Sequence, residues 1–289
     1  MTSADFFIIG APKSGIDTLT SWLHSHSDVE FPKDLTEDNF ATDLTSAPAT
    51  GSEDQQNSHT LGKIVGKLSP WYLYSSEAIP NILAQNPDAK FVVCLRDPAE
   101  IAWALHSENL QVGQEHVRDF DTAWSLGLAR REGRGAPLQG NPKLLDYPSI
   151  CEQGNQVARL LGQVPGENIY FAYYEDMQQS PTPLWGELQQ FLKLKHEDLA
   201  NYPVMDIEIS KPFIAMHDIA IHLRSVKRRC LPKVKTGLRL GTRKNGLHRK
   251  GGKMKPIPQE VRQKVYDRLS EDVATLSVLA DRDLMHWIA

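Results

Sequence analysis

The sequence predicts an α/β fold, a P-loop-like parallel sheet flanked by helices. Two observations predict it. Short apolar runs recur at residues 6–9, 90–95 and 168–173, the pattern of strands buried on both faces. Each run is followed by a turn and then by apolar residues at helical spacing. Strands that alternate with helices in this way build a parallel sheet with helices on its faces. No internal repeat and no linker interrupts the pattern, so residues 1–289 are expected to form a single domain.

The elements follow in order. Phe6-Phe7-Ile8-Ile9-Gly10 reads as a buried strand ending in glycine, and Ala11 to Gly15 as a turn. Leu19, Trp22 and Leu23 give residues 17–23 one apolar helical face. Residues 44–62 are rich in Ser, Thr, Gln, Asn and Gly, the composition of a mobile surface loop. A short strand is expected at 63–67 and a helix at 75–85, interrupted by Pro80. Residues 90–95 form the clearest strand, with a helix at 99–110 after it. Helices are expected at 119–131, 149–161, 183–192 and 258–279, a strand at 168–173 and a loop at 133–147.

Composition narrows the function class. Three cysteines, Cys94, Cys151 and Cys230, lie far apart and form no zinc or CxxC pattern. They read as reduced thiols of a cytoplasmic protein. No run approaches the 18 or so apolar residues of a membrane span, and no basic leader precedes Phe6, so no membrane partner is expected. The formal net charge of −4 conceals a basic block. Residues 224–255 hold thirteen Lys and Arg and no Asp or Glu, which leaves −17 for the rest. Such a block points to an anionic partner. The interleaved aromatics of single-strand binders are missing from it, so nucleic acid is not expected.

Two turns carry the chemistry. Gly10 to Thr18 joins a buried strand to a helix through Gly-Ala-Pro-Lys-Ser-Gly. Glycines let the backbone approach an anion, and the first helical N–H groups have no partners within the helix. Lys13 adds a charge, and Ser14 and Thr18 add hydroxyls. The motif falls short of GxxxxGK[ST], and a plain βα turn with a solvated lysine fits it as well. The second turn, Arg96-Asp97-Pro98, stands where ligands bind in open α/β sheets, beyond a strand's carboxyl end. Arginine there suits a phosphate because its planar fork donates two parallel hydrogen bonds. Taken alone, the turn favours a structural Arg96–Asp97 pair or cap.

Together the turns resemble the PAPS-dependent sulfotransferases, most of all the bacterial and glycan-type branch, where PAPS is 3′-phosphoadenosine 5′-phosphosulfate. The resemblance runs through Phe31-Pro32-Lys33, Glu37 to Asp43, and Val65-Gly66-Lys67-Leu68-Ser69-Pro70-Trp71-Tyr72-Leu73-Tyr74. It continues through Pro87-Asp88-Ala89-Lys90, Leu95-Arg96-Asp97-Pro98 and Arg282-Asp283-Leu284 with Trp287. It implies a sulfotransferase-type fold related to nucleotide kinases and transfer of a sulfuryl group from PAPS, leaving PAP. The first loop, Pro12, Lys13, Ser14, Gly15, Ile16, Asp17 and Thr18, would hold the 5′-phosphosulfate, with Lys13 stabilising the leaving oxygen. Arg96, with position 104, would hold the 3′-phosphate, and Arg249-Lys250-Gly251 would complete that pocket. The implied base is Glu37, three residues before Phe40. His106 is a second candidate, although a lone helical histidine also serves as a structural hydrogen-bonder. No metal is implied.

Three positions depart from the family pattern. Gly15 is followed by Ile16 and Asp17 in place of two threonines. Ala104 replaces a serine eight residues after the arginine, and Lys67 stands where an acidic residue is common. An Asp17 carboxylate about 5 Å from a bound phosphate would be repelled by roughly 3 kcal/mol at an effective dielectric near 20. Turned outward, it stabilises the helix N-terminus instead. The expected acceptor is a hydroxyl or amine of a small molecule or glycan, and the expected assembly a monomer or homodimer. Two alternatives remain: a non-catalytic PAP-binding protein with a degraded donor site, and a kinase-like phosphotransferase.

Overall fold

Alternation of side chains along the strands explains the architecture. The computed structural model describes residues 4–31, 40–44, 62–134, 141–204 and 256–289. These fall within one compact unit, Met1–Asp206 with Pro256–Ala289. Strands β1 (Phe6–Gly10), β2 (Val29–Glu30), β3 (Ile64–Ser69), β4 (Lys90–Leu95) and β5 (Ile169–Tyr173) form a sheet in the order β2-β3-β1-β4-β5. All its pairings are parallel. Phe7, Ile9, Phe91, Val93 and Leu95 point to one face and Phe6, Ile8, Val92, Cys94 and Ala172 to the other. Both sets are buried, so the strands had to be apolar at every position.

Helices cover both faces. Helix α1 (Ile16–His24) packs Leu19, Trp22 and Leu23 into the cluster of Phe6 and Ile8, with Leu184, Trp185 and Leu188 of α9 (Pro181–Leu192). Each such side chain contributes about 1.5–3 kcal/mol on burial. Helices α2 (Ala78–Gln85) and α7 (Gln153–Leu161) cover the other face through Ile79, Ile82, Val157 and Leu160. A third cluster joins α3 (Pro98–Val112), α4 (Phe120–Ser125), α6 (Tyr147–Cys151) and α10 (Gln259–Leu279).

The chain departs from its sequence pattern where tertiary contacts intervene. Pro80 does not interrupt α2: it is the third helical residue, where an N–H has no partner within the helix anyway. The helix expected at 119–131 divides into α4 and α5 (Gly127–Arg131) at Leu126. Gly127 lies so close to Pro148 and Asp146 that a Cβ would stand 2.7 Å from Asp146 Oδ1. The helix expected at 149–161 starts at Tyr147 and breaks at Glu152. The break frees the amides of Gly154 and Asn155 to donate to Asp272 of α10, at 2.8 and 2.9 Å. Helix α8 (Tyr174–Gln179) follows β5 directly, in residues to which the sequence pattern assigns no element.

The strand order fixes where a ligand can sit. From β1 the chain moves to β2 and β3 on one side, then crosses to β4 and β5 on the other. The point of reversal lies between β1 and β4, where a crevice opens beyond the strands' carboxyl ends. Gly10 pairs with Cys94, so the two strands end nearly level and their loops leave side by side.

Candidate functional site

The loop after β1 is bent by three unusual backbone positions. Gly10 packs so tightly on the Cys94 backbone that a Cβ would overlap the Cys94 carbonyl. Lys13 has φ 66° and Gly15 φ 95°, both left-handed. At Gly15 a Cβ would stand 2.6 Å from Met177 Sδ and 2.9 Å from Tyr174 Cδ2. Ser14, fully buried, donates from Oγ to the Ala11 carbonyl at 2.6 Å and locks the turn. Gly15 then serves as N-cap of α1 with no side-chain cap. Gly15 itself has no side chain to offer the first amides of α1, and a helix N-terminus of this kind can receive an anion. Ile16 and Thr18 are buried beneath the turn and Pro12 is buried within it, while Asp17 is exposed.

The loop after β4 is tied to the first one. Gln153 holds the Arg96 backbone, accepting from its N–H at 3.2 Å and donating to its carbonyl at 2.7 Å. The Arg96 side chain, in a residue only 7% exposed, lies 4.0 Å over the Tyr174 ring. Its Nη1 donates to the Lys13 carbonyl at 2.8 Å, and its Nε and Nη2 donate to Glu100. Arg96 therefore meets the loop after β1 itself, and its fork is engaged by protein groups. Asp97 does not pair with Arg96. It caps α3 by accepting from the Ala99 amide at 2.8 Å. It also accepts from Arg262 at 2.7 Å and Tyr266 at 3.0 Å. Burial pushes the Asp97 carboxyl up, against the pull of these partners.

Helix α3 brings a further charge to the loop. Glu100, Ala104 and Glu108 stand four residues apart and share a face. Glu100 meets Arg96, and Glu108 Oε1 lies 2.6 Å from Lys13 Nζ. Ala104, fully buried between them, offers no polar side-chain atom. Neither Glu100 nor Glu108 stood out in the sequence. The available signal was this i, i+4, i+8 spacing on the helix that follows Arg96.

The remaining expected residues are placed as follows. His106 is 2% exposed. One ring nitrogen meets the Val117 carbonyl at 2.9 Å, and the ring packs edge-on against Phe120 and Tyr147. That is the setting of a structural hydrogen-bonder, and it gives the ring no open approach for an acceptor. Glu37, Arg249, Lys250 and Gly251 lie outside the described residues, as do the basic block and most of residues 44–62. Cys94 is fully buried, and burial, with a smaller push from Asp17, raises its thiol. Trp71 and Tyr74 pack against the core clusters and Tyr72 is buried in one. Among the described residues no helix is long and apolar enough to cross a membrane, and no cluster of His, Cys, Asp and Glu could hold a metal ion.

A family model for a sulfotransferase domain matches residues 3–207. A sulfotransferase from Alicyclobacillus acidocaldarius superposes with a TM-score of 0.68 at 18% identity, covering 100% of both chains, which is a likeness of fold. Mouse sulfotransferase SULT7A1 complexed with PAP gives 0.47 at 13% identity, covering 98% of this chain and 90% of that one. No curated protein sequence matches.

Proposed function

The chain belongs to the sulfotransferase family, and on that premise we propose that it moves a sulfuryl group from PAPS to a hydroxyl or amine of a small-molecule or glycan acceptor. The observation that carries the donor reading is the joining of two strand-end loops at the β1/β4 reversal. There the uncapped N-terminus of α1, Lys13 and Arg96 converge. Amides and cations fixed before a ligand arrives stabilise anionic charge without reorganising. PAPS as donor supplies an activated sulfuryl group on a phosphate that leaves as an anion. The residues fit such a group: the turn from Ser14 to Thr18 would hold the 5′-phosphosulfate, and Lys13 would neutralise the leaving oxygen.

Arg96 has a more particular role in this proposal. Its Nη1 shapes the loop, while Nε and Nη2 share Glu100 with Arg262, which lies 3.4 Å from that carboxylate. Glu100 therefore keeps a cationic partner if a 3′-phosphate takes its place on Arg96. Arg249, Lys250 and Gly251 remain proposed members of the same pocket, and Glu37 is the base that the family resemblance implies. We place the reaction in the cytoplasm, as the unpaired cysteines suggest.

The test is a thermal titration. PAP raises the melting temperature in a concentration-dependent way, and ATP with magnesium does not. No response to PAP at millimolar concentration overturns the donor reading, and a response to ATP with magnesium alone favours the kinase-like alternative. Turnover of PAPS separates the enzyme from a protein that only binds PAP.

A further inference from the structure

We propose that Glu108 is the general base that takes the acceptor's proton, an inference that rests on the sulfotransfer reading above. Among the described residues it is the carboxylate in contact with Lys13, at 2.6 Å. The carboxylates at the other end of α3 are engaged: Glu100 by Arg96 and Arg262, Asp97 by Arg262 and Tyr266. Glu108 uses only Oε1 on Lys13, and Oε2 has no hydrogen-bond partner among the described residues. The side chain is 28% exposed beside a lysine that is 17% exposed, so an acceptor can reach it. His106, two residues earlier, is closed off.

The reach is right for this role. In near-attack geometry the attacking oxygen stands about 3–3.5 Å from sulfur, opposite the leaving oxygen, so the two oxygens are about 5 Å apart. Lys13 Nζ one hydrogen bond from the leaving oxygen, Glu108 2.6 Å from Nζ, and the attacking hydroxyl one hydrogen bond of about 2.6–3.2 Å from Glu108 together span that gap. In the step, the acceptor O–H proton passes to Glu108 and the oxygen's electron pair forms the new bond to sulfur. The bond from sulfur to the bridging oxygen breaks, and its pair leaves on PAP, beside Lys13. The ammonium and the carboxylate thus serve opposite ends of one displacement while holding each other in place.

Glu108→Gln tests this, because the amide keeps a hydrogen-bond acceptor for Lys13 but is not a base. Glu108→Ala removes both, and Glu37→Gln is the competing variant. PAP release from PAPS is followed across pH, with water and with a series of substituted phenols as acceptors. PAP affinity and melting temperature are measured alongside. The expected result is a fall of about 10²–10⁴-fold in both Glu108 variants, with loss of the acid limb of the pH profile. PAP affinity should stay within about threefold of wild type or rise, since Lys13 loses a competing charge. The inference is overturned if Glu108→Gln turns over normally while Glu108→Ala does not, for then Glu108 only positions Lys13. It also falls if Glu37→Gln alone removes the acid limb, or if wild type binds PAP yet releases none from PAPS. Wild type that binds no PAP sinks the donor reading itself, so the two failures are distinguishable.

Discussion

Arg96 donates from Nη1 to the carbonyl oxygen of Lys13 at 2.8 Å, so the arginine of one strand-end loop holds the backbone of the lysine in the other. That lysine has φ 66°, a conformation L-residues other than glycine, asparagine and aspartate seldom adopt. The contact joins β1 to β4 at the switch point between them, and it puts the two charges at fixed positions before any ligand binds.

Arg96→Lys should therefore damage both stability and binding. A lysine cannot reach the Lys13 carbonyl and Glu100 together, and a lost hydrogen bond to a charged group costs about 1.5–3 kcal/mol. The expected outcome is a destabilisation near 2 kcal/mol in urea titration and a loss of PAP binding greater than the stability change explains.

Lys13→Gly should separate activity from folding. Relief of the left-handed backbone gains about 1–2 kcal/mol, and the entropy of a new glycine costs about 0.5–1 kcal/mol. The melting temperature should stay within a few degrees of wild type or rise slightly. Sulfuryl transfer should fall by about 10²–10³-fold or more, the range for removing one preorganised charge-stabilising group. Retained turnover would show that the loop is not the donor site.

Gly15→Ala should fold poorly and bind PAP weakly. The methyl would stand 2.6 Å from Met177 Sδ, and φ 95° is closed to alanine without strain. A loss of about 1–2 kcal/mol is expected from the backbone alone, with the cost of the close contacts added to it. Met177→Ala in the same chain should relieve the contact but not the φ, and so recover only part of the loss.

Glu115→Gln should change the pH dependence of stability. Glu115 is buried in an ion pair with Arg130 at 2.7 Å. Burial alone would raise its carboxyl, but the Val117 and His116 amides and the Arg130 charge outweigh it and hold the group below the usual carboxylate range. A lowered folded value contributes stability that is fully present above the unfolded value of about 4.3 and is lost as pH falls through the folded one. Urea titrations between pH 7 and pH 3 should show that slope in wild type and a shallower one in the variant. At pH 7 the variant should be about 3 kcal/mol less stable, because Arg130 is left buried and uncompensated.

Much of this was legible in the sequence because it is local or periodic. The runs 6–9 and 90–95 are apolar at every position since both faces of β1 and β4 are covered. Gly10, Lys13, Gly15 and Arg96 stand at strand ends, where residue type and chain position already predict an anion site. Departures came where a distant residue dictates a local break. Asp272 opens the helix at Glu152 from more than a hundred residues away, and the approach of Pro148 decides the split before Gly127. Neither leaves a mark in a window of neighbouring residues.

By itself, then, the sequence determined the apolar strands, the two turns and their charges, and through them the fold class; the anion site it points to is a proposal. Only the tertiary structure decided what those charges touch. Arg96 turned to the Lys13 carbonyl and Glu100, His106 closed onto Val117, and Glu108 came to Lys13. The physical reason is that a charge's partner is chosen by proximity in space and by desolvation, and β1, α3 and α8 become neighbours only when the sheet brings them together.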